Sequence, residues 1–158
     1  MEALAKRVGQ RLKAARAKLV TAESCTGGWA AQLVTSVAGS SAWFERGFVT
    51  YSNEAKRELL GVQEKTLQTH GAVSEETARE MAQGALSRSM GSVALAVTGV
   101  AGPGGGSPAK PVGMVCFAWA SAGSVRSETQ QFSGDRESVR KQSVVHALEG
   151  VLQHLDGG

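Results

Sequence analysis

The sequence predicts an α/β fold, a three-layer α/β/α arrangement with helices on both faces of a mixed sheet of about five strands. Three observations lead to this prediction. An amphipathic N-terminal segment precedes a short apolar run, helix-like and strand-like segments then alternate, and Ser92–Gly99 has the composition of a fully buried central strand. A chain of 158 residues holds one domain with a full core and is too short for two, so we predict one domain over 1–158.

The first three predicted elements are a helix, a strand and a helix. Segment 1–18 is predicted to be helical because its apolar residues are spaced for one buried face. Those residues are Leu4, Val8, Leu12 and Ala15. A strand is expected at 18–22, and a second helix at 29–37, where apolar side chains recur every fourth position.

The middle of the chain predicts a second strand followed by two helices. Gly47–Tyr51 has a strand composition, and either Ser52 or Asn53 is expected to cap a helix that ends near Leu60. Ser74 is expected to cap a longer helix. The predicted inward positions of that longer helix are Ala78, Met81, Ala82 and Ala85.

The C-terminal part predicts a glycine loop, a hairpin and a final helix. The glycine-rich segment Gly99–Pro111 is incompatible with regular structure. Val112–Ala120 and Val125–Phe132 are predicted to pair as a hairpin, and the second strand alternates enough to lie near an edge. Asp135 is expected to begin a helix that runs to about Leu155.

Cysteine and histidine usage predicts neither a disulfide framework nor a metal site. Cys25 and Cys116 lie far apart without CxxC spacing. The three histidines are scattered, and none belongs to an HExxH arrangement. We therefore expect no metal and no other cofactor.

The charge of the chain does not by itself indicate a nucleic-acid partner. The net charge is +3, but six of the seventeen basic residues lie within the first eighteen positions, on the predicted solvent face of the first helix. No aromatic-studded basic stripe accompanies them, so we expect no nucleic-acid binding. No apolar run reaches the roughly 20 residues that span a bilayer, and the N-terminus lacks a signal-peptide core. The sequence therefore predicts a cytoplasmic protein with no membrane contact.

The segment TAESCTGG, Thr21–Gly28, is the strongest candidate for a nucleophile site. It sets Ser24 between an apolar run and a probable helix start, where backbone N–H groups would favour an anion or a developing oxyanion. The two glycines permit a sharp turn and a close approach of a ligand to the backbone. The alternative is that Ser24, Cys25 and Thr26 are ordinary helix-capping residues.

Tyr51 and Lys56 are the candidate partners of that serine. Lys56 falls near the first turn of its predicted helix, where the helix dipole disfavours an ammonium and lowers its pKa toward a neutral amine. The Tyr51 hydroxyl is expected to relay a proton between Lys56 and Ser24. The alternative is that Tyr51 packs at a strand end while Lys56 pairs with Glu54 or Glu58.

The glycine loop and two arginines suggest binding of an anionic small molecule. Successive glycines expose N–H groups as an anion nest. The loop lacks GxxxxGK[ST], however, and its partial dinucleotide match, Gly104–Ala109, is followed by prolines where that fingerprint needs a helix. Arg136 and Arg140 share one face of the last helix and are placed to fork onto a carboxylate or phosphate. The alternative is that they pair with Asp135 and Glu137.

Five blocks in this order closely resemble the nicotinamide-nucleotide amidases, which share their fold with the C-terminal domain of the competence and damage-inducible protein CinA. The blocks are TAESCTGG, AGSSAWFERGFVTYSNEAK, GAVSEETA, AVTGVAGPGGGSPAKPVG and FSGDR. The resemblance implies hydrolysis of nicotinamide mononucleotide to nicotinic acid mononucleotide and ammonia. It places the serine, tyrosine and lysine of the family on Ser24, Tyr51 and Lys56. The substrate contacts it implies are Cys25, Gly39, Ser41, Thr98, Gly99, Gly102, Arg136 and Arg140.

The resemblance also implies a homodimer or a larger homo-oligomer, and exposed Trp43, Phe44 or Trp119 would be consistent with such an interface. Two rival hypotheses stay open at this point. Cys25 is an alternative nucleophile, because a helix N-terminus lowers a thiol pKa. Alternatively, the chain is a nucleotide-binding module of the same fold without catalysis.

Overall fold

Five strands form one mixed sheet in the computed structural model, which describes residues 1–157. In chain order they are β1 (Leu19–Glu23), β2 (Phe44–Val49), β3 (Val93–Gly99), β4 (Met114–Ser121) and β5 (Ser124–Gln131). β1 lies between β2 and β3 and is parallel to both, whereas β4 and β5 are an antiparallel hairpin beside β3. The predicted mixed sheet, with a buried central β3 and β5 at an edge, is confirmed. Gly158, the last residue of the predicted domain, lies outside the described part.

Helices cover both faces of this sheet. They are α1 (Glu2–Ala14), α2 (Trp29–Thr35), α3 (Asn53–Leu60), α4 (Glu64–His70), α5 (Glu75–Ser87) and α6 (Arg136–Leu155), with a short 3-10 turn at Ser40–Ala42. α1, α2 and α6 contribute to one apolar cluster, and α3 and α5 to the cluster on the opposite face. The predicted three-layer order is therefore confirmed, whereas α4 was not predicted.

Local sequence signals determine where three of the helices begin. The side chains of Ser52, Ser74 and Asp135 each accept a hydrogen bond from the backbone N–H three residues later, at the starts of α3, α5 and α6. These contacts confirm the predicted starts and choose Ser52 over Asn53 as the cap of α3. The four predicted inward residues of α5 are also buried.

The predicted exposure of two tryptophans is wrong. Trp43 is 4% exposed and Trp119 is fully buried, while Phe44 is half-buried. The indoles fit because glycines lie against them. A Cβ on Gly9 would lie 2.5 Å from the Trp43 ring, and one on Gly150 would lie 2.0 Å from the Trp119 ring. Neither tryptophan therefore offers an exposed surface for an interface.

The N-terminal helix has one buried face, as predicted, with a small difference in its members. Ala5, Val8 and Leu12 are fully buried, and Leu4 packs at the margin of the core. Ala15 is exposed, because α1 ends at Ala14 and Ala15 is only its cap. Across residues 1–157, no helix combines the length and the apolar character needed to cross a lipid bilayer.

Candidate active site

The candidate site lies at the carboxyl ends of the three parallel strands. The chain leaves β1 for β2 on one side and later enters β3 on the other, so the crevice between β1 and β3 is a topological switch point. A cavity of about 280 Å³ lies there. Its lining includes the predicted residues Ser24, Cys25, Tyr51, Lys56, Thr98, Gly99, Gly102 and Arg136.

Ser24 is held in place by the backbone on both sides of it. Its N–H donates to the carbonyl oxygen of Val97 in β3 at 3.0 Å, and its own carbonyl accepts from the Gly27 N–H at 3.1 Å. The turn continues through Gly27 and Gly28, whose φ angles of 60° and 104° lie in the left-handed region that favours glycine. The double glycine of the motif is thus needed to turn the chain from β1 into α2.

Lys56 contacts Ser24 directly. Its Nζ lies 3.0 Å from Ser24 Oγ and donates a second hydrogen bond to the backbone carbonyl of Tyr51 at 3.3 Å. The side chain is 1% exposed, and burial lowers the pKa of its ammonium below the ordinary 10.5. The predicted lowering therefore agrees in direction, but burial is its cause here instead of the helix dipole. In the described chain, Lys56 forms no ion pair with Glu54 or Glu58.

The Tyr51 hydroxyl does not lie between Lys56 and Ser24, so the predicted relay geometry is wrong. The Tyr51 side chain is 64% exposed, and its hydroxyl accepts a hydrogen bond from Arg136 Nη2 at 3.2 Å. Only the backbone of Tyr51 contacts Lys56. The tyrosine therefore shapes the rim of the cavity and anchors the lysine through its carbonyl.

Arg136 and Arg140 diverge instead of forking onto one ligand. Arg136 lines the cavity and donates to the Gly102 carbonyl at 2.8 Å. Arg140 lies outside the cavity lining and donates to the carbonyls of Cys25 and Thr26, each at 3.1 Å. Its predicted direct contact with substrate is therefore absent from this geometry. Neither arginine forms an ion pair with Asp135 or Glu137 within residues 1–157.

The remaining wall of the cavity is formed by the glycine loop and the segment before α5. Thr98 Oγ1 donates to the Ala72 carbonyl at 2.9 Å, which joins the end of β3 to that segment. Lys110 Nζ reaches from the glycine loop to the carbonyls of His70 and Val73. These contacts cross-link two irregular segments that otherwise have no shared secondary structure.

Gly39 and Ser41 lie at the opposite edge of the sheet from Ser24. The 3-10 turn that contains Ser41 precedes β2, and the Trp43 carbonyl just after it accepts from the Leu19 N–H at the start of β1. β1 is five residues long, so its two ends are about 15 Å apart. Within one chain, the structure therefore contradicts the predicted contact between these two residues and a substrate held at Ser24.

Comparison with known proteins agrees with this fold and site. The sequence pattern described as the CinA C-terminal domain matches residues 1–155. The chain belongs to the CinA C-terminal domain family. It is 56% identical over 153 residues to "Nicotinamide-nucleotide amidohydrolase PncC" of Escherichia coli (strain K12), covering 96% of this chain and 93% of that protein. The PncC protein of Pseudomonas putida is 55% identical over 150 residues, covering 95% of this chain and 94% of that protein.

A solved structure supports the same assignment. A competence-damaged protein (CinA) superfamily protein from Klebsiella pneumoniae superposes with a TM-score of 0.96 at 39% identity, covering 99% of this chain and 98% of that chain. The three-layer architecture of this CinA C-terminal domain is therefore shared over essentially the whole described chain.

Glu23 is the residue of this CinA C-terminal domain that sequence reasoning missed. Its fully buried carboxylate accepts hydrogen bonds from Thr26 Oγ1 at 2.6 Å, from the Ala30 N–H at 2.8 Å and from the Ala31 N–H at 3.1 Å. The N–H groups at the start of α2 are therefore occupied and do not form the predicted anion site. An acidic residue at the end of an apolar strand and just before a helix start was the available signal.

The electrostatics of the CinA C-terminal domain site disfavour Cys25 as the nucleophile. Burial raises the pKa of the Cys25 thiol to about 12, so the thiol is neutral near pH 7. The predicted lowering by a helix N-terminus is wrong, since Cys25 precedes α2 by four positions and is largely buried. Across residues 1–157, no group of three or more His, Cys, Asp or Glu side chains is placed to bind a metal ion.

Proposed function

We propose that this chain hydrolyses the carboxamide of nicotinamide mononucleotide to nicotinic acid mononucleotide and ammonia, with Ser24 as the nucleophile and Lys56 as the general base. The observation that carries the proposal is the 3.0 Å contact between Lys56 Nζ and Ser24 Oγ inside the cavity. The printed names of the Escherichia coli and Pseudomonas putida relatives support the substrate assignment.

Acylation begins with proton transfer from Ser24 to Lys56. The neutral Lys56 amine accepts the hydroxyl proton as Ser24 Oγ attacks the amide carbon, because a serine is a weak nucleophile without an adjacent base. Burial of Lys56 favours this neutral form. The hydrogen bond to the Tyr51 carbonyl leaves the amine lone pair directed by a fixed partner. The lysine therefore needs no relay through the Tyr51 hydroxyl.

Collapse of the tetrahedral intermediate completes the first half of the reaction. The Lys56 ammonium returns the proton to the leaving nitrogen, the C–N bond breaks, and ammonia departs from an acyl-enzyme on Ser24. Water then attacks the acyl carbon, with Lys56 taking its proton and returning one to Ser24 Oγ. The acid product leaves, and the starting protonation states are restored.

Two backbone N–H groups are available to stabilise the oxyanion. Within residues 1–157, the N–H groups of Cys25 and Thr26 have no hydrogen-bond acceptor, whereas the Gly27 and Trp29 N–H groups are occupied inside the turn. Both free groups lie immediately after the nucleophile. Preorganised donors of this kind contribute a large share of the rate in serine acyl transfer.

Substrate recognition combines an uncharged slot with a basic rim. The substrate carries a cationic ring and an anionic phosphate, so the two ends require different surroundings. Arg136 at the rim is the proposed phosphate contact, and the ring is proposed to lie among the small residues of the cavity. The substrate contacts that we retain are Cys25, Thr98, Gly99, Gly102 and Arg136.

The expected homo-oligomer and cytoplasmic location stay predictions. Contacts from Gly39 and Ser41 to substrate require a second copy of the chain, because both residues lie at the far edge of the sheet. Mixing inactive Ser24→Ala with Ser41→Arg tests this requirement. Recovery of turnover in the mixture supports a shared site, and full activity of Ser41→Arg alone contradicts it.

Ammonia release from nicotinamide mononucleotide tests the proposed function. Purified wild-type protein is compared with Ser24→Ala and Lys56→Ala in the presence of EDTA, and exposed Lys65→Ala serves as the matched lysine control. We expect turnover in wild type and in Lys65→Ala and its loss in the other two variants. Tight binding of the nucleotide by wild type without ammonia release would instead favour the non-catalytic binding module. Retention of activity in Cys25→Ala separates serine from cysteine catalysis.

A further inference from the structure

We propose that Glu23 and Arg140 are positioning residues, which brace the Cys25–Thr26 peptide from two sides so that its N–H groups stay available to the oxyanion. This inference rests on the proposed amidase function and extends it to two side chains that do not touch the substrate. It also changes the role of Arg140, which sequence reasoning placed among the substrate contacts.

Glu23 fixes the turn from the side of the sheet. It is the last residue of β1, its side chain is fully buried, and its carboxylate accepts three hydrogen bonds from Thr26, Ala30 and Ala31. These bonds tie the end of β1 to the turn and to the first turn of α2. A buried carboxylate with both oxygens occupied holds a fixed geometry, because loss of any partner leaves a buried charge unsatisfied.

Arg140 fixes the same turn from the side of α6. Its Nε and Nη2 donate to the carbonyls of Cys25 and Thr26, two successive acceptors that match the planar fork of a guanidinium. The guanidinium carbon also lies 5.6 Å from the centre of the Trp29 ring. Lysine offers a single ammonium at that position and cannot reproduce the paired geometry.

The carbonyl contact determines the direction of the N–H group that matters. In a trans peptide the C=O and N–H groups point to opposite sides. The Cys25 carbonyl belongs to the peptide that carries the Thr26 N–H, so Arg140 on the oxygen turns that N–H away from itself. A charged donor on the carbonyl also polarises the peptide and strengthens the N–H as a donor. Arg140 thus acts on the oxyanion through the backbone.

Two observations separate this role from direct substrate binding. Neither Glu23 nor Arg140 belongs to the lining of the cavity that contains Ser24. The Arg140 donors are already directed at backbone oxygens, whereas Arg136 presents its guanidinium to the cavity. Loss of a positioning residue lowers kcat, and loss of a ground-state contact raises KM.

Steady-state kinetics of Arg140→Ala provide the first test. We expect kcat for nicotinamide mononucleotide to fall roughly 10- to 100-fold, less than the loss of a whole oxyanion donor, with KM within about threefold of wild type. Exposed Lys141→Ala, the adjacent basic residue on α6, is the matched control and should keep both constants. Arg136→Ala should show the opposite split, with a raised KM. Unchanged kinetics in Arg140→Ala, or a raised KM with unchanged kcat, would overturn the proposal.

A readout that does not use the nucleotide separates this inference from the proposed function. Diisopropyl fluorophosphate forms a Ser24 O–P bond and expels fluoride, and its phosphoryl oxygen takes the place of the oxyanion. Labelling of wild type but not of Ser24→Ala, with slower labelling in Arg140→Ala and Glu23→Gln, supports the brace even if the nucleotide is not hydrolysed. Equal labelling rates in all folded variants, or no labelling of wild type, would contradict it.

Chemical rescue distinguishes a missing guanidinium from a misfolded chain. Free guanidinium at millimolar concentration should restore part of kcat to Arg140→Ala and none to Glu23→Gln, and Arg140→Lys should fall between wild type and Arg140→Ala. Far-UV circular dichroism and thermal unfolding identify variants that retain the fold. A folded Arg140→Ala protein that guanidinium fails to rescue, and whose Ser24 labelling rate equals that of wild type, would exclude the proposed role.

Discussion

Lys56 Nζ lies 3.0 Å from Ser24 Oγ although 32 residues separate the two in sequence. The strand that ends at Glu23 positions the serine, and the helix that begins after Ser52 positions the lysine. Both side chains are buried, and Lys56 has no acidic partner within residues 1–157 that would hold it protonated. A buried amine beside a buried hydroxyl is the arrangement that a serine needs to be deprotonated near neutral pH.

The first prediction concerns the pH dependence of turnover. Only the neutral amine of Lys56 accepts the serine proton, so kcat/KM should rise with pH through the pKa of Lys56 in the free enzyme. Burial lowers that pKa, and the inflection should therefore lie below 10.5. Profiles measured above pH 7 avoid the second ionisation of the substrate phosphate, whose pKa is about 6. A flat profile between pH 7 and 10 would contradict Lys56 as the titrating base.

The second prediction concerns the Tyr51 hydroxyl. Tyr51→Phe should keep kcat within about threefold of wild type, because a relay is absent and general-base loss alone would lower the rate roughly 10²- to 10⁴-fold. Phenylalanine retains the backbone carbonyl that binds Lys56 and removes only the hydroxyl that accepts from Arg136. Single-turnover ammonia release measures the effect. A loss of 100-fold or more in a folded variant would restore the proton relay.

The sequence was most informative where structure is determined locally. The caps at Ser52, Ser74 and Asp135 were predictable because each side chain bonds a backbone N–H only three residues away. The candidate nucleophile and lysine were also identifiable, since a strand end beside paired glycines and a lysine near a helix start are unusual local contexts. Their contact, by contrast, depends on packing between separate layers.

The missed features depend on long-range geometry or on weak patterns. α4 has Thr66 as its buried residue and therefore lacks an apolar period that a pattern search detects. The partners of Tyr51 and Arg140 come from segments 85 and more residues away. Spacing along a helix placed Arg136 and Arg140 on one face, but it did not show that one enters the cavity while the other binds a neighbouring turn.

The third prediction is a conflict between stability and function at Lys56. Lys56→Met should abolish turnover yet raise the free energy of unfolding at neutral pH by about 1 kcal/mol, within the range seen for stabilising substitutions at functional sites. Because the pKa of Lys56 is lower in the folded chain, the unfolded chain binds more protons between the two pKa values, and wild-type stability rises with pH there. The penalty is complete below the folded pKa and is lost toward pH 10.5.

Urea unfolding of wild type and Lys56→Met at several pH values measures this difference. The gain in stability should be largest near neutral pH and should shrink as the pH approaches 10. Exposed Lys65→Met is the control, and its effect should not vary with pH in this way. Equal or lower stability of Lys56→Met at pH 7 would show that the hydrogen bonds of Lys56 outweigh the penalty of burying it.

The fourth prediction assigns the substrate phosphate to Arg136. Arg136→Gln should raise KM for nicotinamide mononucleotide roughly tenfold or more, the expected effect of losing one charge-assisted hydrogen bond, with little change in kcat. Nicotinamide riboside lacks the phosphate, so its KM should change much less in the same variant. The guanidinium lines the cavity and is anchored by the Gly102 carbonyl, which leaves its outer edge toward the rim. Equal losses for the two substrates would mean that Arg136 supports the glycine loop and does not contact the phosphate.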